Sequence, residues 1–509
     1  METQLRLNST TRQRHCWECM RRRLVCDFAQ PACHKCRSAG INCPGYDEKK
    51  PLKWLAPGKV ASRARQRRSA TGAGRFSTAS SSTSSSEEEA ADKEADLPTS
   101  VGHELLGMSL RMRNLKSEAC TMVEAAYYFN NYVYPDFIPI HELVPNPYLG
   151  LFPLEALHHI PMAMCYTLVY LTLGHRIHRV FPGDDRHSLM HTRSTLYQQR
   201  GLAIRSLAEL MGSLSTSSID ITIGSILLFL FVDARQVQSM DWKHHFTAAT
   251  ELIKLRGGLP KFARSPDLEP LKPLILHLLI VGVTANTTTP PSQHIPTTSQ
   301  LDLVDTMNEL YGDGIYPILL CPPYLFIDMI KINSLRFQVM TSPVTESTKA
   351  TAHELLEHIE AFSPENWTEE RTEASTDTKE DWLLLGRIYR SSVALYCISS
   401  LQSLGIIPSN RYFTAMRTVH GTLLFTFLQK ALTRARIKSC MIWPVVVAGM
   451  QAVDASPNIR HIVDEQLAEL GQSLGTPAPL WASAVFHRFW ASGKTGWDDC
   501  FDRAHVFVS

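Results

Sequence analysis

Six of the twelve cysteines fall between positions 16 and 43. They run Cys16-Trp17-Glu18-Cys19, then six residues to Cys26, six to Cys33-His34-Lys35-Cys36, and six to Cys43, a C-x2-C-x6-C-x6-C-x2-C-x6-C pattern built from two matching halves. A C-x2-C pair at the start of a helical turn sets two thiolates on one metal, and soft thiolate sulfurs suit tetrahedral zinc. Six cysteines do not give two zinc ions four private ligands each, so two sulfurs must be shared. The matching halves nominate the first cysteine of each, Cys16 and Cys33. Zinc in so short a module is structural, because about thirty residues hold too little core to fold unaided. Three alternatives stand beside this reading. A disulfide framework suits a secreted chain, but the start, Met1 to Arg14, is polar and basic and unlike a signal peptide. A redox C-x-x-C pair needs no matched second half, and two unrelated zinc sites need no repeat.

The residues between the ligands are basic. Arg21, Arg22 and Arg23 separate Cys19 from Cys26, and Arg12, Arg14, Lys35 and Arg37 surround them. A helix beginning near Cys16 projects the three arginines outward at the first metal lobe. Arginine pairs in bidentate fashion with O6 and N7 of guanine in the major groove. The outlying cations suit phosphates, which position a protein without specifying sequence. The plain alternative is a solvated charged face.

The elements that must carry these residues follow from composition. The 509 residues have a formal charge of +2, which hides an asymmetry: residues 1–70 hold 16 Lys and Arg against 5 Asp and Glu, while the remainder holds 35 against 44. A basic head on a mildly acidic body suggests a polyanion-binding module joined to a separate globular part. The head spans 12–46 and a linker 47–102. Within the linker Lys59, Arg63, Arg65, Arg67 and Arg68 form a basic cluster that fits a nuclear localisation signal, a DNA-backbone clamp or a solvated spacer. The stretch 71–100, with STASSSTSSSEEEAADKEAD, has almost no large apolar residue and reads as disordered. Serines ahead of Glu87, Glu88 and Glu89 suit an acid-directed kinase, or the tract is a plain spacer.

From 103 to 509 the pattern is helical. Leu105, Met108, Met112, Leu115, Ala119 and Met122 make one apolar face, a first core helix or a short seam for a partner chain. Further helices are expected at 153–179, 192–212, 217–236, 240–256, 323–338, 349–362, 380–404, 411–433 and 479–491, and 284–299, rich in Thr and Pro, is expected to be a loop. The longest apolar runs, 223–232 and 274–283, are shorter than the roughly 20 residues that span a bilayer. The chain is expected to be soluble, in a reducing compartment and without a membrane partner. The scattered Cys120, Cys165, Cys321, Cys397, Cys440 and Cys500 are expected to be reduced core residues. Trp242 and Trp443 read as core anchors, Gly257-Gly258 as a helix stop and Pro444 as a first-turn residue.

Taken together, Cys16–Cys43 resembles the fungal Zn(2)-Cys(6) binuclear cluster family of transcription factors. The resemblance implies two zinc ions bridged by Cys16 and Cys33. It implies reading of CGG-type triplets in double-stranded DNA by Arg22 and Arg23, the basic pair three and four places after the second cysteine. Pro31, two residues before Cys33, matches the family's turn proline. Met20 and Val25 depart from it, standing where basic residues are usual.

The body resembles the fungal-specific transcription factor domain. The resemblance rests on Tyr127-Tyr128-Phe129, Pro135-Asp136-Phe137, Pro145-Asn146-Pro147-Tyr148, Trp242-Lys243-His244-His245, Ala248-Ala249, Arg256-Gly257-Gly258, Trp443-Pro444 and Ala448-Gly449. It implies an all-helical regulatory domain working through a homodimer, co-regulators or a small-molecule effector, in a nuclear regulator of RNA polymerase II transcription. The fold class expected is mainly α: a two-zinc, six-cysteine module, a disordered linker and a large all-helical domain. Other readings are a zinc module that serves as a protein-interaction scaffold and a DNA-tethered enzyme. Against the enzyme, the chain has no G-x-x-x-x-G-K-[ST], H-E-x-x-H or G-x-S-x-G, and the adjacent pairs His158-His159 and His244-His245 face different ways on a helix.

Overall fold

The computed structural model describes residues 15–22, 24–44 and 46, then 118–144, 146, 149–179, 186–212, 219–236, 242–295, 299–312, 319–371 and 376–508. The linker 47–102 with its basic cluster Lys59, Arg63, Arg65, Arg67 and Arg68, the serine tract, and the expected apolar face from Leu105 to Leu115 lie outside the described residues. So do Pro145, Pro147 and Tyr148. The chain forms two compact units, 1–97 and 98–509. Every regular element among the described residues is helical, so the mainly α expectation holds.

In the second unit, helices adjacent in sequence pack against one another, as short connections favour. Met162–His178 lies against Arg186–Gly212, Ile219–Gln236 against Trp242–Leu255, Thr376–Ser403 against Arg411–Ala431, and Pro457–Ser473 against Ala478–Ser492. Thr376–Ser403 is the hub. It packs against Pro323–Thr341, Glu346–Ala361, Pro364–Glu369, Ile442–Gln451 and Trp497–Cys500. Its Leu385, Ile388, Tyr389, Tyr396 and Leu401 have no exposed surface.

Local signals ended several helices where expected. Trp242–Leu255 stops at Gly257 and Gly258, whose φ values of 101° and 91° only glycine adopts without strain. Trp242 and Trp443 are buried anchors. Pro444 stands in the first turn of Ile442–Gln451. Of the scattered cysteines, Cys165, Cys321, Cys397, Cys440 and Cys500 are buried, whereas Cys120 is exposed on Glu118–Tyr128 and departs from the expected core placement.

Three other expectations are corrected. The span 153–179 is not one helix: a 3-10 turn, Leu154–His158, precedes Met162–His178, and Pro161 forms the boundary because it has no N–H to continue a helix. The supposed loop 284–299 begins as helix, since Lys272–Thr288 runs through its first residues and buries them. Its hydroxyls turn back on their own backbone, Thr284 donating to the Ile280 carbonyl at 2.6 Å and Thr287 to that of Thr284 at 2.7 Å. Polar residues there are internally satisfied rather than solvated. The apolar run 274–283 likewise belongs to a longer helical stretch, Pro266–Thr288, which by length and composition alone is able to cross a bilayer; 72% of its apolar window is buried inside the fold. A helix buried on all sides carries no amphipathic stripe, which is why periodicity did not announce Lys272–Thr288.

Candidate metal centre and nucleic-acid interface

The two halves of the cysteine module fold alike. Cys16 precedes the helix Trp17–Arg22 and Cys33 caps the helix His34–Ser38. In the first half Met20 N–H donates to the Cys16 carbonyl at 2.9 Å, and Leu24 N–H to that of Cys19 at 3.0 Å. In the second, Arg37 N–H donates to Cys33 at 3.1 Å and Ile41 N–H to Cys36 at 3.0 Å. Each C-x2-C pair also folds its backbone onto its first sulfur: Cys19 N–H reaches Cys16 Sγ at 3.4 Å, and Cys36 N–H reaches Cys33 Sγ at 3.3 Å. The sequence repeat is thus a structural repeat, and it sets the first sulfur of each half at the same place in its turn.

Cys16, Cys19, Cys26, Cys33 and Cys36 are almost wholly buried, with Cys43 at the edge. Sulfur separations are 3.6 Å for Cys16–Cys33, 3.7 Å for Cys16–Cys36 and 3.6 Å for Cys19–Cys33. A tetrahedral zinc with Zn–S of about 2.3 Å sets its sulfurs about 3.8 Å apart, so the spacing fits the metal. The sulfurs fall into two groups of four, Cys16, Cys19, Cys26, Cys33 and Cys16, Cys33, Cys36, Cys43, and those of each group lie within 4.8 Å of one another. Cys16 and Cys33 belong to both.

The thiols do not ionise alike: Cys26 is held down to about 7, where the exclusion of water is outweighed by hydrogen bonds with backbone N–H groups and with the Tyr46 hydroxyl. Exclusion of water and the neighbouring sulfurs push Cys19 up to about 12 and raise Cys16 and Cys36 as well. A dication at each centre reverses that cost, since thiolate is the form that binds metal. The chemistry of the donor set therefore fits two zinc ions.

Flanking residues brace the cage, and the cysteine pattern did not single them out. Cys26 N–H donates to His15 Nδ1 at 2.9 Å, and the His15 ring lies 5.2 Å from Phe28. Tyr46 donates its hydroxyl to the Ala29 carbonyl at 2.7 Å. Asp27 accepts the His34 N–H at 3.1 Å, a contact that holds its exposed carboxyl below the usual range. The one sequence signal for these partners was aromatic residues bordering the cysteines at either end. Pro31 follows a cis peptide bond in the turn between the halves.

Among the basic candidates, Arg22, Lys35 and Arg37 are exposed. Arg21 lies in the helix Trp17–Arg22, but its side chain, like Arg12, Arg14 and Arg23 entirely, lies outside the described residues. Met20 and Val25 are exposed as well, at 49% and 78%. In the second unit His158, His159 and His244 are exposed, and His245 packs on Phe229. None of these histidines joins a metal-ligating group among the described residues.

Residues 126–506 match the family described as fungal specific transcription factor domain, and residues 14–53 match the fungal Zn(2)-Cys(6) binuclear cluster domain, which binds two zinc ions. The chain is 35% identical over 510 residues to the phomenoic acid biosynthesis cluster-specific transcriptional regulator of Leptosphaeria maculans, an alignment covering 99% of this chain and 90% of that one. No solved structure matches it. The chain belongs to the fungal Zn(2)-Cys(6) transcription factors that carry a fungal specific transcription factor domain, and is a zinc-dependent DNA-binding regulator of transcription.

Proposed function

We propose that the head, residues 12–46, reads CGG-like triplets in the major groove through Arg22 and Arg23. Arg21 stands beside that pair, and Arg12, Arg14, Lys35 and Arg37 hold phosphates. Cys16, Cys19, Cys26, Cys33, Cys36 and Cys43 ligate the two zinc ions, with Cys16 and Cys33 bridging. The linker 47–102 carries the import signal Lys59, Arg63, Arg65, Arg67 and Arg68, and the protein works in the nucleus. The body, 103–509, regulates the head without catalysis, through self-association, co-regulators or an effector. Likeness to a biosynthesis cluster-specific regulator over nearly the whole chain supports target genes grouped in a biosynthetic cluster.

The supporting observation is the exposure of Arg22 at the end of a short helix whose first turn is tied into the sulfur cage. A rigid metal scaffold presents that guanidinium at little entropic cost. The test is binding of the zinc-loaded full chain to CGG-containing and scrambled duplexes across a salt series. The expected result is preference for the CGG duplex and a steep fall in affinity with salt. Arg22→Ala and Arg23→Ala each cost about 1–3 kcal/mol of base discrimination. Equal affinity for both duplexes ends the proposal of a triplet reader.

A further inference from the structure

The second unit holds a cavity of about 490 Å3, within the roughly 300–1,000 Å3 typical of small-molecule sites. Most of its wall is apolar, with Ile140, Val144, Leu171 and Leu274 among the lining. Four polar side chains on the same wall have an atom shut away from solvent with no hydrogen-bond partner: His141 Nε2, Arg235 Nε, Gln236 Oε1 and His277 Nε2. Buried polar groups are nearly always paired, so four on one cavity point to a missing partner.

Arg235 is the most demanding of them. It is 9% exposed, in the last turn of Ile219–Gln236, and its guanidinium lies 5.0 Å over the Phe231 ring. His277, from Lys272–Thr288, meets the same ring at 4.7 Å. Among the described residues no carboxylate comes within ion-pair range of Arg235. The nearby acids are committed elsewhere. Asp233 is bound by Arg200 at 2.6 and 3.0 Å and by the Tyr170 hydroxyl at 3.0 Å. Asp136, also on the cavity wall, pairs with Arg179 and accepts from His175 at 3.2 Å.

A buried cation without a counter-charge is among the costliest groups a fold retains. Burial pushes Arg235 down to about 10, which leaves it charged at neutral pH. His277, pushed down to about 3 by burial and by Arg235, is neutral and offers one N–H. The Gln236 side chain packs directly over Gly174, where a Cβ would fall 2.3 Å from the Gln236 oxygen.

We propose that this cavity is a ligand site for a small carboxylic acid with a mainly apolar body. Its carboxylate pairs with Arg235 and takes a hydrogen bond from His277, and its hydrocarbon part lies against Leu171 and Leu274. One uncompensated cation calls for a monoanion; a phosphate dianion brings a second charge that the wall does not balance. The site is separate from the cysteine module and does not depend on how that module reads DNA.

The test is titration of the zinc-loaded full chain with dodecanoate and with dodecanol, probes of equal apolar length that differ in the charged head. The expected result is one dodecanoate per chain, bound about tenfold or more tighter than dodecanol. Arg235→Met abolishes that preference while retaining dodecanol binding. It also raises the unfolding temperature of the ligand-free chain, because an unpaired buried charge is gone. Leu171→Trp, which fills the apolar end and leaves the guanidinium untouched, weakens dodecanoate about tenfold or more. The proposal is overturned if neither probe binds, if the two bind alike to the unmodified chain, or if dodecanoate binds Arg235→Met or Leu171→Trp undiminished.

Discussion

At Cys16 and Cys33 each sulfur accepts a backbone N–H from three residues on and belongs to both four-sulfur groups, while Cys43 belongs to one group and lies at the edge. Loss of a shared ligand therefore differs from loss of an edge ligand. Cys16→Ser and Cys33→Ser are expected to leave well under one zinc per chain, because neither centre keeps four sulfurs and the fold depends on the metal. Cys43→Ser is expected to retain about one. Elemental analysis of the purified variants measures this, and equal zinc content in all three rules out the bridged arrangement. Met20 and Val25 bring exposed apolar surface where family resemblance calls for positive charge. On the proposed reading the phosphate contacts fall to Arg12, Arg14, Lys35 and Arg37, so Met20→Lys is expected to tighten binding to any duplex and to steepen its salt dependence by about one unit of slope.

At the scale of the element, the C-terminal end of Lys272–Thr288 shows how a polar run is taken into a core. A helix end leaves four carbonyls without partners. Here Arg336, from Pro323–Thr341, donates to the carbonyls of Asn286 at 2.8 Å and Thr289 at 3.2 Å. It also donates to the Tyr396 hydroxyl at 3.0 Å and pairs with Asp498. Trp497 Nε1 donates to the Thr287 carbonyl at 2.7 Å, and Trp443 Nε1 to the Thr287 hydroxyl at 3.1 Å. One guanidinium thus joins four helices. Arg336→Ala leaves half-buried Asp498 and the helix-end carbonyls without their cation, and is expected to cost about 3–5 kcal/mol of stability, the usual penalty for breaking a buried pair from one side. Denaturant titration of the second unit checks this; a loss below about 1 kcal/mol means that water replaces the arginine. Packing between Ile442–Gln451 and Ala478–Ser492 is equally particular, since a Cβ on Gly449 would lie 2.3 Å from the Phe486 ring.

For the molecule as a whole, acid weakens the folded state through histidines held neutral by burial. His178, His294 and His505 are pushed down to about 4, and His277 to about 3. In the unfolded chain each returns to about 6.5. Below that value the unfolded state binds protons that the folded state refuses, so stability falls as pH falls. The unfolding midpoint of the second unit, followed by fluorescence of its buried tryptophans, is expected to drop steadily from about pH 7 to about pH 5. A flat or rising midpoint contradicts the assignment.

Much of the metal chemistry could be read from the chain because ligand type and ligand spacing are local properties. Two thiolates three residues apart meet on one turn wherever that turn sits in space, and the repeat of that turn nominated the sulfurs that both four-sulfur groups include. Helix ends at Gly257 and Pro444 were legible for the same reason, since backbone freedom and a missing N–H belong to single residues. Lys272–Thr288 was not legible as a helix, because burial on every side leaves it without an amphipathic stripe. The Thr-rich end of Lys272–Thr288 looked like a loop because its partners, Arg336, Trp443 and Trp497, come from distant positions. Arg235 shows the opposite case: its want of a counter-charge is a property of the assembled wall around it, for which no string of neighbouring residues carries a sign.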